Sequence, residues 1–307
     1  MIQQELDLRE RSVLMDFFKP LANRTPDTQY RDRLVQILHN GEMLKTTPQG
    51  IGALTCFGTL RPMVFDLRNG VPVITERKLI SWRQAVAEII AFINGARTCD
   101  EISSYGCRLW ESYREKDVGL PFPPDDMGPA SYGPAFHDFP MPNGGSLNQF
   151  EQVLEQIRYF PHTRTHRITP WIPFWTARGP NRRVNVAPCH GDMHLRVMNG
   201  RLHMVMWQRS GDLPIGVPHN MVQYAALLLM LCQVTGYEAG NYVHQFSDAH
   251  IYENQISAVR ELVRREPRPF PVLRLDPGVT DLFAFRAEHF SIEEYAPHPA
   301  VQIPYSP

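Results

Sequence analysis

The sequence predicts an α+β protein that folds as a single domain. Two segments, Ser81–Asn94 and Asn220–Val234, have the length and apolar spacing of helices that form the centre of a core. Residues 194–207 read as two strands around Asn199-Gly200, the dipeptide most typical of a tight β-hairpin. The chain contains no internal repeat, low-complexity tract or composition shift that would divide it into two domains.

The other elements follow from local patterns. Residues 1–29 are polar and indicate an N-terminal extension, with one short helix, ahead of a domain spanning 30–307. Residues 105–145, rich in proline and glycine, indicate a long ordered loop, and the proline-rich tail should be extended. We expect further helices at 30–44, 147–159 and 249–265, and strands at 53–57, 63–67, 164–169, 242–246 and 272–275.

One helical position is unusual. Glu88 lies among the apolar residues of the helix that Ser81 can cap and Gly95 can close. A carboxylate there either faces water on the flank of the helix or is buried for a reason. Position alone leaves both interpretations open.

Composition narrows the class of protein. The net charge of −1 and the pI near 6.9 give no global electrostatic reason to bind nucleic acid or a membrane. Five scattered cysteines without CxxC spacing favour a reduced, intracellular protein. The charged first residues do not resemble a signal peptide, and the apolar run 225–232 is too short to span a bilayer. We therefore expect a cytoplasmic protein.

Cys189 is the first candidate for chemistry. A lone cysteine is most often a small buried apolar residue, but a nearby cation activates a thiol, and His190 and Arg209 are both candidates. A cysteine-protease interpretation would use His250 with Asn220 or Asp212, yet no protease-like sequence surrounds the cysteine. A metal site is a weaker alternative, because neighbouring residues of a strand point to opposite faces. Its ligands would be Cys189, His190, Asp192, His194 and His203.

Asn220 is the second candidate. At a predicted helix start, an asparagine is first of all an N-cap. If its side chain faces a pocket instead, the amide offers a donor and an acceptor together, as the imide edge of uracil requires. An aspartate would suit an aminopyrimidine better.

Four motifs in order carry a resemblance to a known family. They are Ala187-Pro188-Cys189-His190, Gln208-Arg209-Ser210-Gly211-Asp212, Gly216-Val217-Pro218-His219-Asn220 and Asp248-Ala249-His250-Ile251-Tyr252. Together they resemble the folate-dependent thymidylate synthase family over roughly residues 30–307. Weaker matches are 65–67 with 70–72 as an early strand pair, 88–95 as the first core helix, and 265–269 and 295–299 near the end.

The resemblance implies roles for individual residues. For the reaction it implies Cys189 as the nucleophile at C6 of a pyrimidine nucleotide, Arg209 as the group that stabilises the thiolate and contacts the phosphate, Glu88 as the organiser of protons and water, and Tyr132 in proton removal from C5. For the ligands it implies Asn220 at the base, Ser210, His250 and Tyr252 at the nucleotide and its sugar, Asp212 at the pterin, Trp110 beside the folate, and Tyr113 in place of a second tryptophan.

The resemblance also implies a cosubstrate and an assembly. The one-carbon donor would be 5,10-methylenetetrahydrofolate, and no metal is implied. The fold would hold a large mixed sheet that packs against a second subunit, with Arg164 reaching across the homodimer interface.

The sequence departs from the family around the phosphate. Pro48 stands where the family has an arginine, and Thr165 takes the place of the second of two paired arginines. Candidate substitutes are Lys45, Arg167, Arg178, Arg182 and Arg183. His219 replaces an aromatic residue beside Asn220, and Gln223 lies one turn on.

Three functions follow as hypotheses. The first is reductive methylation of dUMP. The second is 5-hydroxymethylation of dUMP or of CMP or dCMP, indicated by Tyr113, the altered tail and the altered phosphate residues. The third, from another class, is a non-catalytic relative that binds a nucleotide or RNA, against which Cys189 and the near-neutral charge both argue.

Overall fold

The computed structural model describes residues 17–115 and 119–305. Most of the predicted N-terminal extension, including any helix before residue 17, lies outside the described residues. From Phe17 to Thr28 the chain contains one short 3-10 helix, Leu21–Asn23. The regular domain therefore begins at Gln29, one residue before the predicted boundary.

Eleven strands are present in the described parts of the chain. They are β1 Glu42–Leu44, β2 Ala53–Phe57, β3 Met63–Asp66, β4 Phe139–Pro140, β5 Ser146–Leu147, β6 Arg167–Ile168, β7 Asp192–Met198, β8 Arg201–Asp212, β9 Glu238–Tyr252, β10 Val272–Leu275 and β11 Phe290–Glu293. Seven of them form one sheet in the order β1-β2-β9-β8-β7-β6, with β3 paired to the other end of β9. The pair β8–β9 is parallel and the other pairs are antiparallel, so the sheet is mixed as expected.

Eight α-helices pack around this sheet in the described ranges. They are α1 Gln29–Asn40, α2 Trp82–Ile93, α3 Cys99–Ser104, α4 Tyr132–His137, α5 Gln149–Tyr159, α6 Pro173–Thr176, α7 Gly216–Thr235 and α8 Ile256–Leu262. Helix α7 is apolar on every side and almost entirely buried, so it forms the centre of the core, with α2 packed against it. One domain results.

The hairpin between β7 and β8 forms where the sequence predicts it. Asn199 and Gly200 take φ values of 51° and 74°, the left-handed pair that a tight hairpin turn requires. Because the strands then run back antiparallel, the end of β8 returns to the start of β7. This geometry places Arg209 next to Cys189.

The two faces of the sheet differ in how far their side chains are buried. On the inner face, alternate residues of β8, such as Leu202, Met204 and Met206, are fully buried. On the outer face, Val64 pairs with Val243, Val243 with Val205, and Val205 with His194, which makes one row across four strands. Val64 is 46% exposed and Val205 is 37% exposed. An exposed apolar row of this kind is typical of an interface.

Two predicted elements are wrong because tertiary pairing overrides local pattern. The predicted helix 249–265 begins only at Ile256, since residues 249–252 extend β9 and pair with β2. The predicted helix 30–44 ends at Asn40, and residues 42–44 form β1 instead.

Smaller differences concern short segments. The strand predicted at 164–169 is limited to Arg167–Ile168, and residues 70–72 form no strand. The loop region 105–145 contains helix α4, which begins at Tyr132 and which the prolines of that region conceal.

Candidate active site

Cys189 lies just before β7, at the open end of the β7–β8 hairpin, opposite the turn at Asn199-Gly200. The backbone N–H of Arg209 donates to the carbonyl oxygen of Cys189 at 2.7 Å. Its guanidinium donates to the Pro188 carbonyl at 3.1 Å and lies 3.5 Å from the Cys189 sulfur. The opposite side of the guanidinium faces Trp171, with 5.5 Å from Cζ to the ring centroid. The strand pair and the tryptophan thus hold a cation against the thiol.

Burial and the neighbouring Arg209 have opposite effects on the pKa of the Cys189 thiol. Burial raises the pKa of Cys189, and Arg209 and a hydrogen bond with Tyr132 oppose that rise. Burial, reinforced by Arg209, lowers the pKa of His190 to about 3, so this histidine is neutral. His190, the other candidate cation, therefore carries no charge beside the thiol. Among the residues described, Arg209 is the cation that lowers the pKa of the Cys189 thiol.

Tyr132 is fixed between two rings beside the cysteine. Phe92 stacks on one face at 4.7 Å between centroids, and His190 stacks on another at 4.6 Å. The Tyr132 oxygen accepts the backbone N–H of Cys189 at 2.6 Å. Burial raises the pKa of Tyr132 well above its ordinary value. A neutral phenol with its oxygen already accepting a bond has its own proton left to donate.

Glu88 is buried inside the protein, so the interpretation of a carboxylate facing water is wrong. Its two carboxyl oxygens accept hydrogen bonds from the Trp110 indole and from the Gln223 amide. Burial raises the pKa of Glu88 to about 7, and these two bonds limit the rise. A carboxyl that titrates near neutrality can both give and take a proton at physiological pH.

Asn220 does not cap a helix, because α7 already begins at Gly216. Its side chain is buried and its amide nitrogen donates to Gln223 at 2.8 Å, while its oxygen accepts from Gln208 at 3.0 Å. An amide has two N–H groups and two lone pairs, so one of each remains for a ligand. The side chain therefore keeps a donor and an acceptor that Gln223 and Gln208 do not use.

Asp212 ends β8 and contacts the C-terminal tail through one glutamine. Its oxygens accept from the backbone of Ile215 at 3.2 Å and from the Gln255 amide at 3.1 Å. The same Gln255 nitrogen donates to the Pro304 carbonyl at 3.0 Å. Burial raises the pKa of Asp212. The carboxylate and the tail are therefore parts of one corner.

Ser210 and His250 meet at a carboxylate that the sequence analysis did not single out. Asp248 accepts from the Ser210 hydroxyl at 3.1 Å and lies 3.0 Å from His250 Nδ1. The ring of Tyr252 packs against that of His250 at 4.9 Å. Asp248 was visible as part of the same motif as His250, two residues earlier on the same face of β9.

Trp110 and Tyr113 form an aromatic pair above Glu88. Their ring centroids are 5.4 Å apart, and Trp110 is almost fully buried. A hydrogen bond joins Tyr113 to Tyr305 of the tail. These contacts place both predicted folate residues at the same end of the site as Asp212's tail contact.

The structure does not bring Arg164, Thr165 and Pro48, the positions discussed for phosphate binding, close to one another. Arg164 and Thr165 are exposed beside β6, at the edge of the sheet, and Pro48 is exposed in the loop between β1 and β2. Among the candidate substitutes, Arg167 faces Asp192 at 3.9 Å and Arg182 donates to the Asn185 carbonyl at 2.6 Å. Lys45 and Arg178 are exposed, and Arg183 stacks over Trp175.

A small pocket opens beside the thiol on the side of the guanidinium. Its walls include Trp171, Trp207, Asp192, Cys189 and Arg209. Glu88 and Asn220 do not line it and lie deeper, each less than a tenth exposed. Of the residues described, no three histidine, cysteine or acidic side chains are grouped so as to hold a metal ion.

A mixed sheet, a central buried helix and a cysteine held against an arginine define the class of this protein, an α+β group-transfer enzyme. A family model described as thymidylate synthase matches residues 28–306, and the chain belongs to that family. Because it belongs to this family, the protein is assigned a folate-dependent transfer of a one-carbon unit to C5 of a pyrimidine nucleotide. None of the described helices is long and apolar enough to cross a bilayer.

Proposed function

We propose that the protein methylates dUMP reductively to dTMP. Cys189 is the nucleophile: its sulfur bonds to C6, which makes C5 electron-rich and able to bond to the incoming carbon. Loss of the proton from C5, cleavage of the bond between the transferred carbon and the folate nitrogen, transfer of a hydride from the folate to that carbon and release of the sulfur from C6 then restore the ring and give dTMP and dihydrofolate. The observation that carries the proposal is the Cys189 thiol 3.5 Å from Arg209, with the Tyr132 hydroxyl at its backbone.

Glu88 and Tyr132, whose pKa values are shifted, take part in the proton transfers. Glu88, with a pKa of about 7, exchanges protons at the C4–C5 side of the ring. Tyr132, a neutral phenol beside the cysteine, assists removal of the C5 proton. Arg209 stabilises the thiolate and later contacts the phosphate.

The nucleotide is held by residues of β8 and β9. Asn220 meets the uracil edge, and Ser210, His250 and Tyr252 hold the sugar. An unused hydrogen-bond acceptor supports this placement of the sugar, because Asp248 Oδ1 is buried and has no hydrogen-bond partner among the described residues. A sugar hydroxyl is the kind of donor that such an oxygen requires.

The folate fits the corner made by Asp212, Trp110, Tyr113 and the tail. Aromatic faces suit a flat pterin and its aryl group, and the Asp212 carboxylate keeps lone pairs for ring N–H donors. 5,10-Methylenetetrahydrofolate supplies the one-carbon unit and, for methylation, the hydride. The protein's part is to position C5 and to exclude water.

A second candidate function, 5-hydroxymethylation of dUMP, CMP or dCMP, is favoured by one observation. Tyr113 and Tyr305 meet through their hydroxyl groups at the tail, where they bring polar atoms to the folate corner. Polar atoms there would retain water, which can capture the carbon at C5 before a hydride arrives.

Product analysis separates the candidates. The protein is incubated with dUMP, CMP or dCMP and methylenetetrahydrofolate, and dihydrofolate absorbance and nucleotide mass are followed. Dihydrofolate with a gain of one methyl group supports methylation. Tetrahydrofolate with a hydroxymethylated base overturns methylation in favour of the second candidate.

A trapping experiment tests the third candidate, a nucleotide or RNA binder without catalysis. With 5-fluoro-dUMP and folate, the wild-type protein should form a covalent adduct and Cys189→Ala should not. An adduct on the alanine variant would eliminate the role of Cys189, and no adduct on either protein would favour the binder.

We also propose a homodimer built through the outer face of the sheet. The row of Val64, Val243 and Val205 offers an apolar surface that a second copy would cover. Arg164, exposed at the sheet edge, would then reach the phosphate of the partner's site. Sedimentation of an active monomer would contradict this assignment.

A further inference from the structure

We propose that Gln223 locks the Asn220 amide in one orientation and thereby selects a pyrimidine with a carbonyl at C4 and an N–H at N3. This inference rests on the proposed function, in which Asn220 faces the base. It concerns a residue whose own side chain has no contact with the reacting atoms, so Gln223 is a positioning residue. The orientation of Asn220 depends on which amide atoms face each other along one buried chain of hydrogen bonds.

One end of that chain is anchored on β8. Gln208 is buried, and its nitrogen donates both to the Ser210 carbonyl at 3.0 Å and to Asn220 Oδ1 at 3.0 Å. Its oxygen lies 2.7 Å from His244 Nε2, and His244 Nδ1 lies 2.9 Å from the Tyr242 hydroxyl. Rotating the Gln208 amide by half a turn would set its oxygen against the Ser210 carbonyl oxygen. The Gln208 nitrogen therefore has to face Asn220.

The other end is anchored on α2. Gln223, fully buried on α7, donates from its nitrogen to Glu88 and accepts from Asn220 Nδ2 at 2.8 Å. Glu88 also accepts from the indole of Trp110, which can only donate. When Glu88 is ionised, a rotated Gln223 would set its oxygen against an oxygen of the Glu88 carboxylate. The Gln223 oxygen therefore has to face Asn220.

Asn220 lies between a nitrogen on one side and an oxygen on the other, so its orientation is determined twice. Its oxygen faces Gln208 and its nitrogen faces Gln223. A free asparagine could rotate by half a turn and present its donor and acceptor in the reverse order. Here such a rotation would create two repulsive contacts in a dry site, each costly.

The order of the two atoms determines which base fits. In the proposed function Glu88 serves the C4–C5 side of the ring, so the Asn220 nitrogen, which lies on the Glu88 side, faces C4 and the oxygen faces N3. Uracil offers an acceptor at C4 and a donor at N3, which matches both. Cytosine offers a donor at C4 and an acceptor at N3, which conflicts with both.

Two substitutions at Gln223 separate the lock from other effects. Gln223→Leu removes both bonds of Gln223, so that a rotated Asn220 amide meets one repulsive contact, at Gln208, instead of two. Gln223→Glu keeps an oxygen that accepts from Asn220, and so keeps the lock, but crowds Glu88 with a second carboxyl group. Gln233→Ala, which removes a glutamine from the last turn of α7 where it binds the Asp276 and Val279 carbonyls, is the matched control.

The measured quantity is the preference for dUMP over dCMP, taken both as the ratio of kcat/KM values and as the ratio of equilibrium dissociation constants. A ratio within one variant is insensitive to a loss of folded protein. We expect Gln223→Leu to lower the ratio at least about tenfold. Gln223→Glu should keep the ratio and shift the pH profile of kcat to higher pH, and Gln233→Ala should keep both.

The outcomes for the lock and for the proposed function are distinguishable. An unchanged ratio in Gln223→Leu, or a wild-type preference for dCMP, overturns the lock while leaving one-carbon transfer intact. A wild-type protein that binds dUMP over dCMP without turning it over contradicts the proposed function but retains the lock, provided that Gln223→Leu lowers the binding ratio. Binding of neither nucleotide overturns both.

Discussion

The two ends of the active site differ in how far one chain completes them. At the base end, Glu88, Gln223, Asn220 and Gln208 are buried, and each side chain is hydrogen-bonded to the next within the chain. At the phosphate end, Arg164, Thr165 and Pro48 are exposed and scattered over separate elements. Buried polar groups require partners at hand, whereas exposed cations are free to bind an external anion. In the proposed function, recognition of the base is therefore completed within one chain, while binding of the phosphate requires a second chain.

Subunit mixing should give the largest effect. Cys189→Ala and Arg164→Ala proteins, each expected to be inactive alone, are denatured together, refolded and assayed. Random reassortment should restore about a quarter of wild-type activity, because half of the dimers are mixed and each mixed dimer has one intact site of two. Activity that stays at background after mixing would place Arg164 in its own subunit's site, and an Arg164→Ala protein that is active alone would place Arg164 outside any site.

Glu88→Gln tests the base end. It should lower kcat about 10²- to 10⁴-fold, the usual contribution of a proton-transfer group, and remove a pH inflection near 7. An inflection that persists in the variant would assign it to another group.

Ionisation of Glu88 should also change the free energy of unfolding. Its pKa is raised from 4.5 to about 7, so the folded state binds the extra proton in that window and the free energy of unfolding falls as pH rises through it. Between pH 5 and pH 8 the loss should be about 2.5 kcal/mol in wild type relative to Glu88→Gln. Urea titrations of both proteins at pH 5 and pH 8 measure it.

Val205→Asp tests the assembly. A carboxylate in the middle of the apolar row would be buried without a partner on dimerisation, and should weaken the dimer at least about 100-fold. Tyr159→Asp, on an exposed aromatic of α5 away from the row, is the matched control and should remain dimeric. Sedimentation velocity over a concentration series distinguishes them, and a dimeric Val205→Asp protein would move the interface elsewhere.

Thr165→Arg should give the smallest effect and the opposite sign. It returns one cation to the sparse end of the site, and one charge-assisted bond to the phosphate should lower KM for the nucleotide about tenfold. Thr163→Arg, two residues earlier in the same exposed segment, is the control. Equal effects of both variants would indicate general attraction of the anion rather than a refilled position.

The sequence predicts the structure best where neighbouring residues alone determine the backbone conformation. Asn199-Gly200 specifies a turn by its own φ preferences, and the turn alone brings Arg209 back to Cys189. The motif around Cys189 therefore predicts a pair that the structure contains. The charge state of His190 was beyond local reasoning, because it depends on how deeply the fold buries the ring.

Asn220 shows why the rest of the site could not be predicted. A local rule makes it a helix cap, yet α7 starts one turn earlier, and the partners of the amide come from β8 and from α7 itself. Likewise residues 249–252 favour helix in isolation but are taken up by pairing with β2. Such choices are made by contacts between distant segments, which a single sequence does not display.

The position of Gln255 has a practical consequence for handling the protein. Because this amide donates both to Asp212 and to the Pro304 carbonyl, a purification tag fused after residue 307 would be attached close to the carboxylate that the proposed function places beside the folate. Kinetic constants from such a fusion would then describe a displaced tail as well as the enzyme. An affinity tag ahead of Met1, or one removed by a protease from the carboxyl end, avoids that interference.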